Sequence, residues 1–298
     1  MAGGAGESDH GFGGGLAGAA RSIIADAQAA LLDSELSDAE TVHEVRKALK
    51  HWRALMRLLS RPLGDPAEKM RIEARDLMRA LAVARDAQSA LDAMDDLGKA
   101  DLPLSPTSRE TIRGRLTEMR DAAEKTNLTP AIRERISHYL DYATLSLERW
   151  PLTAIDFDTI ANGLTSTYRR GRQLLPDDWA TVDAEHLHDL RRRVVEHRHQ
   201  MDLIEPLWPR LGQAWAGEVQ RLRNRLGECQ DFAVLTRFTA PHQPLAPWRS
   251  RLLPLIEARR NAHLKSAERI ASRLFAEKPK AFRKRIGALW SARRKRKA

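Results

Sequence analysis

The sequence predicts an all-α fold of antiparallel helices. Apolar residues recur at spacings of three and four along nine segments, which is the period of a helix with one buried face. Sustained alternation of apolar and polar residues, which would indicate a half-buried strand, is missing, and aromatic residues make up only 5% of the chain. Proline or glycine separates most of the periodic segments. We therefore predict helices joined by short connections.

Five predicted helices lie in the first half of the chain. Residues 1–15 precede them and are rich in glycine, with neither the basic start nor the apolar centre of a signal peptide, so we expect a flexible leader. Proline marks the later breaks, because it removes a helical hydrogen bond and clashes with the preceding turn. The five predicted helices are 16–36, 39–59, 67–97, 109–125 and 131–150. The prolines at the breaks are Pro62, Pro66, Pro103, Pro106 and Pro130.

Four more predicted helices lie in the second half. Proline again stands at every break between them, from Pro151 to Pro247. The four helices are 157–175, 183–207, 212–238 and 252–275. Residues 276–298 follow them as a basic tail.

The net charge of +10 is concentrated at the C-terminus. Residues 278–298 contain ten Lys or Arg and no acid, whereas residues 1–277 hold 40 basic and 40 acidic side chains. The high isoelectric point of the chain therefore arises mainly from the tail. An anion site in the body of the protein depends on how its charges are arranged.

Cysteine content and hydropathy indicate the compartment. Cys229 is the single cysteine, which excludes an internal disulfide and is typical of a reducing environment. No apolar run approaches the roughly 18 residues that a membrane span needs. We expect a cytoplasmic protein without a membrane span, and the sequence leaves its oligomeric state open.

An internal repeat divides the chain. Residues 42–47 (VHEVRK) match residues 187–192 (LHDLRR) as apolar, His, acid, apolar, Arg, basic, at an offset of 145. Residues 81–86 (LAVARD) match residues 226–231 (LGECQD) at the same offset. Two signatures with one offset predict two equivalent halves, 16–150 and 151–275. Each half is expected to form a four-helix bundle, with the two bundles related by a pseudo-twofold axis.

The helix at 39–59 carries a continuous basic stripe. Its members are spaced by 3, 4, 3 and 4 residues and fall within an arc of roughly 80°. An ordinary solvated face is the alternative, but like charges at these spacings repel, and the only acid between Thr41 and Ser60 is Glu44, which points away. An external polyanion is therefore a reasonable counter-charge. The stripe consists of His43, Arg46, Lys50, Arg53 and Arg57. The expected core face consists of Val45, Leu49, Trp52, Met56 and Leu59.

The second half repeats the stripe incompletely. His188, Arg191 and Arg198 take the equivalent positions, while Val195 and Asp202 replace two cations, so we expect unequal contributions from the halves. Both stripe histidines have an alternative role as helix-start residues that hydrogen-bond across the bundle. A second basic row on the next helix is a weaker candidate because acids lie close to it, and from this row we take Arg75 and Arg79 as further candidate ligands of the polyanion. That row consists of Arg71, Arg75 and Arg79, with Arg221, Arg223 and Arg225 as rough counterparts. We interpret Arg85, Asp86, Gln230 and Asp231 as packing and ion-pair residues near the pseudo-twofold axis.

We predict neither a catalytic site nor a metal or other cofactor. The two His-x-His pairs, 186–188 and 197–199, point about 200° apart within a helix, so neither pair can chelate one ion. The chain has no Gly-rich phosphate loop, no HExxH motif and no Glu-x-Glu pair.

These motifs resemble the CHAD family, the conserved histidine α-helical domain. The resemblance rests on 42–59 (VHEVRKALKHWRALMRLL) and 187–208 (LHDLRRRVVEHRHQMDLIEPLW), with 81–91 and 226–235 at the expected places. It covers about 16–275. It implies two four-helix bundles and a basic surface or channel that binds inorganic polyphosphate, with targeting to polyphosphate granules. The implied ligands are the five residues of the first stripe together with His188, Arg191 and Arg198.

Two other functions stay open at this stage. A nucleic acid presents similar phosphates, and the basic tail could bind one weakly, although the stripe has no aromatic residue for base stacking. A scaffold that docks an acidic protein is the second alternative. It would show no affinity for free polyphosphate.

Overall fold

Eleven α-helices and no strands make up the part of the chain that the computed structural model describes, residues 7–99 and 104–297. The all-α prediction is confirmed. Three short 3-10 helices lie at Leu152–Ala154, Glu205–Leu207 and Ala246–Trp248. The α-helices are α1 (Glu7–Leu32), α2 (Asp38–Leu63), α3 (Asp65–Ala80), α4 (Arg85–Leu97), α5 (Pro106–Glu124), α6 (Pro130–Arg149), α7 (Phe157–Gln173), α8 (Ala184–Asp202), α9 (Pro209–Phe238), α10 (Arg249–Leu274) and α11 (Pro279–Lys297).

Helix α2 is fixed at its start and along one face. Ser37 and Glu40 form a capping box, in which each side chain accepts a hydrogen bond from the other residue's backbone N–H. The predicted core face is buried along its whole length. At its centre Trp52 Nε1 donates to the Tyr139 hydroxyl at 2.7 Å, and this hydroxyl donates to the Met70 carbonyl at 2.8 Å. These bonds tie α2 to α6 and α3 and set the direction of the opposite, basic face.

Two groups of helices share the larger core. Helix α1 packs against α2 and α6, and α2 packs against α3. Helix α7 packs against α8 and α11, and α8 packs against α9. Helix α2 also contacts α7 and α8, so the apolar core is continuous between the groups. In the described residues no helix is both long and apolar enough to cross a bilayer.

A smaller core joins α4 and α5 to the end of α9 and the start of α10. Beside it lies a buried ionic network centred on Asp96 of α4. Asp96 accepts two hydrogen bonds from Arg259 at 2.8 and 3.0 Å and one from His263 at 2.6 Å. The other ring nitrogen of His263 lies 2.9 Å from a Glu228 oxygen. This network holds α4 against α9 and α10.

The helix predicted at 67–97 is interrupted in the structure. Residues 81–84 form a turn that separates α3 from α4. The guanidinium of Arg46 donates from Nη1 to the carbonyls of Met78 and Leu81 at 2.6 and 2.9 Å. A cation on the final carbonyls stabilises a helix end, because these groups lack helical partners and carry the negative end of the dipole. This contact comes from α2, so the apolar periodicity within 67–97 could not predict the interruption.

Both ends of the chain differ from the expected leader and tail. Helix α1 begins at Glu7, so residues 7–15 are helical, while residues 1–6 lie outside the described range. Gly13 packs so closely on the short helix at Leu152–Ala154 that an added Cβ would lie 2.4 Å from the Thr153 oxygen. At the other end Phe282 and Ile286 of α11 are buried, and Phe282 stacks on Tyr168 at 4.2 Å. Apolar contacts therefore hold the basic tail against the body.

We expect Asp96→Asn to lower the free energy of unfolding at pH 7 by about 3 kcal/mol, because it removes the buried charge that compensates Arg259 and that accepts a hydrogen bond from His263. Burial opposes ionisation of Asp96, but hydrogen bonds from Arg259, His263 and Lys99 hold its pKa well below its usual value. The wild type is therefore more stable than the variant above the ordinary Asp pKa of about 4, and this difference in the free energy of unfolding shrinks as the pH falls below that value. Denaturant titrations at pH 7 and pH 3 measure this change.

The neighbouring half-exposed Asp95 provides the matched control. Asp95 pairs with Arg113 on the surface, where an ion pair contributes roughly 0 to 1 kcal/mol. Equal destabilisation by Asp95→Asn and Asp96→Asn would contradict the role assigned to the buried network.

Candidate functional site

A cavity of about 750 Å³ lies between α2, α3 and α4 on one side and α8 and α9 on the other. We call it the basic cavity, because eleven basic side chains line it. Helix α2 supplies four of them, at the helical spacing predicted from the sequence. The eleven are His43, Arg46, Lys50, Arg53, Arg75, Arg79, Arg85, His188, Arg191, Arg192 and Arg223.

Most of these cations lack an acidic partner. Four carboxylates also line the cavity, those of Asp92, Glu124, Glu196 and Asp231. Within the described residues, none of the carboxylates lies within 4.0 Å of six cavity cations. These six, which we call the unpaired cations, are Arg46, Lys50, Arg53, Arg85, Arg191 and Arg223. Because buried charge without compensation is unfavourable, the cavity is suited to a ligand that brings negative charge.

The pKa of Lys50 records this environment most clearly. Burial lowers it to about 8, and the nearby guanidinium groups of Arg46, Arg223, Arg85 and Arg191 act in the same direction. Burial, together with Arg85, also lowers the pKa of Arg46 and Arg191 to about 10. Both arginines are still charged at pH 7. The cavity thus concentrates positive potential that its own acids do not neutralise.

Several buried donors in the cavity have no hydrogen-bond partner among the described residues. They are Nε of Arg53, Arg191 and Arg223, and His188 Nδ1 is a further unpartnered ring nitrogen. A buried polar atom without a partner costs about 1 to 3 kcal/mol. A ligand with many acceptor oxygens would satisfy these groups and supply the missing charge together.

Gly227 of α9 lies against the guanidinium of Arg191. A Cβ added at Gly227 would lie 3.3 Å from Arg191 Nη2, which is tighter than normal packing, and 3.5 Å from its Nε, an ordinary contact. Arg191 Nη1 donates to Gln230 Oε1 at 3.0 Å, which orients the guanidinium. Gly227 stands opposite Ala82 in the repeat, where the first half has the turn between α3 and α4.

The structure brings together eight of the ten residues predicted from sequence as ligands. Arg57 and Arg198 are the two that do not line the cavity. Arg57 lies 3.7 Å from Glu196, and Arg198 forms an ion pair with Asp202 one turn further along α8. Each cation is turned toward a carboxylate of α8. The eight that line the cavity are His43, Arg46, Lys50, Arg53, Arg75, Arg79, His188 and Arg191.

Three cavity cations were not among the predicted ligands. Arg192 pairs with Asp189 at 3.0 Å and still faces the cavity. Arg223 belongs to the rough second-half counterpart of the weaker arginine row, and that correspondence is its only signal in the sequence. The sequence favours a packing role for Arg85, and no pattern along α4 distinguishes it as a ligand. Its neighbour Asp86 does form an ion pair, with Arg237 at 3.1 Å, which helps to fix the start of α4 on α9.

No group of three or more His, Cys, Asp or Glu side chains within the described residues could hold a metal ion. The cavity side chains can attract a ligand by their positive charge and can donate hydrogen bonds to it. Planar guanidinium groups bind phosphate oxygens through two parallel N–H donors, whereas the Lys50 ammonium acts as a point charge.

We expect Lys50→Met to raise the free energy of unfolding at pH 7 by about 2 kcal/mol, because it removes a buried cation that has no acidic partner. Lys50 has a pKa of about 8 in the folded protein and 10.5 as a free side chain, so its unfavourable effect is full below pH 8. That effect disappears as the pH rises from 8 to 10.5. The stability difference, measured by denaturant titration, therefore narrows over this range.

Lys47→Met serves as the comparison. Lys47 is 58% exposed and pairs with Glu44 at 2.8 Å. Lys47→Met should change the free energy of unfolding little. Its difference from the wild type should also stay constant between pH 8 and 10. A loss of stability in Lys50→Met at pH 7 would mean that the cavity compensates this charge by itself.

The family model for the CHAD domain matches residues 16–240. No curated protein and no solved structure shows significant similarity to the chain. The four segments that carry the sequence resemblance all lie inside the matched range, and so do all eleven basic residues of the cavity. Since the match covers about three quarters of the 298 residues, the chain belongs to the CHAD domain family.

Proposed function

We propose that this protein binds inorganic polyphosphate in the basic cavity without changing it chemically. The observation that carries the proposal is the set of six unpaired cations facing one cavity. Membership of the CHAD family, which is associated with polyphosphate binding, supports the same ligand.

Polyphosphate suits the cavity by its negative charge and its flexibility. Each repeat unit carries about one negative charge and several acceptor oxygens, and the flexible chain can follow an irregular basic surface. Arginine can bind these oxygens through two donors at once. Binding releases condensed counterions, so the affinity should fall steeply with salt.

A nucleic acid fits the cavity less well. No Phe, Trp or Tyr lines the cavity in the described part of the chain. Stacking on aromatic side chains contributes about 1 to 3 kcal/mol per base to single-strand binding, and that contribution would be missing here. A phosphate chain without bases loses nothing from this absence. We therefore expect polyphosphate to bind in the presence of single-stranded RNA. A chain that prefers RNA, or that binds neither polyanion, would favour a nucleic acid or an acidic protein as the partner instead.

We further infer that the chain contains two copies of one helical unit about a pseudo-twofold axis. A shift of 145 residues carries α2 onto 183–208, which spans α8 and the short helix after it. The same shift carries α5 onto 251–269, inside α10, and α6 onto 275–294, which overlaps α11. The contacts of α1 with α2 and α6 parallel those of α7 with α8 and α11. On this view the second unit extends through α11, beyond the boundary at 275 that the sequence suggested.

We also propose a location for this protein in the cell. A protein that binds long polyphosphate chains at one site should gather on polyphosphate granules in the cytoplasm. A fluorescent fusion of the full chain would test this in cells that form granules, and diffuse fluorescence around visible granules would contradict it.

Arg223→Gln should weaken binding of long-chain polyphosphate about tenfold, because charge-assisted hydrogen bonds contribute about 1.5 to 3 kcal/mol. Arg221→Gln is a matched control on the same helix, since Arg221 is exposed, pairs with Glu218 and lies outside the cavity. Titration calorimetry at about 150 mM salt, with single-stranded RNA as competitor, gives both affinities. Equal losses in the two variants would place binding on general surface charge.

The contribution of α11 needs substitutions rather than truncation, because Phe282 and Ile286 belong to the core. We expect the double change Lys280→Gln with Lys284→Gln, at exposed positions, to lower polyphosphate affinity only about twofold, through long-range attraction. The same titration measures it. Loss of all binding in this variant while Arg223→Gln binds normally would move the site from the cavity to α11.

A further inference from the structure

We propose that Lys50 is a site of covalent modification, at which its ε-amine accepts an acyl group from an acyl phosphate held in the basic cavity. The inference rests on the proposed function only in that both require the cavity to bind phosphoryl groups. It assigns Lys50 a chemical reactivity that ligand binding alone does not need.

Lys50 is open to small solutes but has no carboxylate close to it. Lys50 lies at the middle of α2 and lines the basic cavity, so a small solute can reach it. None of the described carboxylates lies within 4.0 Å of its nitrogen, so no ion pair holds the amine in its charged form. Four guanidinium groups influence it instead, those of Arg46, Arg85, Arg191 and Arg223.

This environment increases the fraction of neutral amine, which is the nucleophilic form. Burial and the neighbouring guanidinium groups lower the pKa of Lys50 to about 8. At pH 7.5 about a quarter of such amines are neutral, compared with about 0.1% for an ordinary lysine. Lysines near other cations in desolvated sites are activated for nucleophilic chemistry in this way.

An acyl phosphate is the electrophile that the same cavity would select. Its phosphoryl group is a dianion that arginines bind, and binding would bring the attached carbonyl carbon near Lys50. The nitrogen lone pair attacks that carbon, and the bond between the carbonyl carbon and the phosphate oxygen breaks. The bonding electron pair and one amine proton go to the leaving group, which departs as hydrogen phosphate. The products are an amide at Lys50 and inorganic phosphate.

Acylation would change the cavity that permits it. The amide is neutral, so the modification removes one of the six unpaired cations. Lower positive charge in the cavity should weaken the binding of polyanions. The level of acyl phosphate could thereby set the affinity of the site, and bound polyphosphate would in turn shield Lys50 from reagent.

Lys47 offers an internal control in the same helix. It lies one turn before Lys50, is 58% exposed and pairs with Glu44 at 2.8 Å. The hydrogen bond that Lys47 donates to Glu44 raises the pKa of Lys47. Reagent reaches Lys47 more easily than Lys50. Faster acylation of Lys50 would therefore reflect its environment and not its exposure.

The test incubates the full chain with acetyl phosphate at pH 7.5 and measures acetylation of each lysine by quantitative mass spectrometry. We expect Lys50 to react at least tenfold faster than Lys47, with a rate that levels off above about pH 8, while Lys47 continues to accelerate. Arg223→Gln should slow Lys50 and leave Lys47 unchanged. Equal rates at the two lysines, or a faster rate at Lys47, would overturn the proposal.

Added tripolyphosphate separates this proposal from the proposed function. Protection of Lys50 but not Lys47 supports both. Fast acetylation of Lys50 that inorganic phosphate slows but tripolyphosphate does not, in a chain that fails to bind polyphosphate in calorimetry, supports the reactive lysine and overturns the proposed function. Normal polyphosphate binding with a slow Lys50 overturns the reactive lysine alone.

Discussion

Positive charge buried around one cavity is the constraint on which the rest of this structure depends. Six cations face the basic cavity without a carboxylate partner among the described residues, and folding must hold them there against desolvation and mutual repulsion. The apolar side of α2 supplies the compensating stability, since Trp52 and its neighbours are fully buried and Trp52 is bonded to Tyr139. Strong packing on one face of the helix thus allows unfavourable charge on the other. Proteins commonly give up stability at functional sites in this way.

Arg46 shows how closely fold and site are joined. Its guanidinium stabilises the end of α3 through the carbonyls of Met78 and Leu81, and the turn that follows places Leu81, Ala82 and Ala84 in the cavity wall. The second half has an unbroken α9 at the equivalent place. Residues 42–86 and 187–231 thus share two sequence signatures but differ in the structure that lines the cavity, a turn between α3 and α4 in one case and a continuous α9 in the other. A ligand meets four basic residues from α2 and three from α8, so the two walls are not equivalent.

The contacts that hold α4 matter for the same reason. Asp96 is bonded to Arg259 and His263 of α10, and Asp86 pairs with Arg237 of α9. Together they fix a short helix whose first residue, Arg85, faces the cavity. The ionic network lies apart from the cavity, yet it determines where one of the unpaired cations stands. The low pKa of Lys50 follows in part from that placement, because Arg85 is among the charges that act on it.

The sequence by itself determined the helical class, the two motifs with their common offset, the core face of α2 and most of the cavity cations. These follow from local periodicity, because residues three and four apart share one side of a helix whatever surrounds it. Only the tertiary structure decided which cations lie together. Arg57 and Arg198 have the right spacing but turn toward Glu196 and Asp202, while Arg85 has no pattern and enters the cavity because α4 packs on α9. The interruption before α4 and the docking of α11 also depend on contacts between distant segments, which periodicity within one segment does not encode.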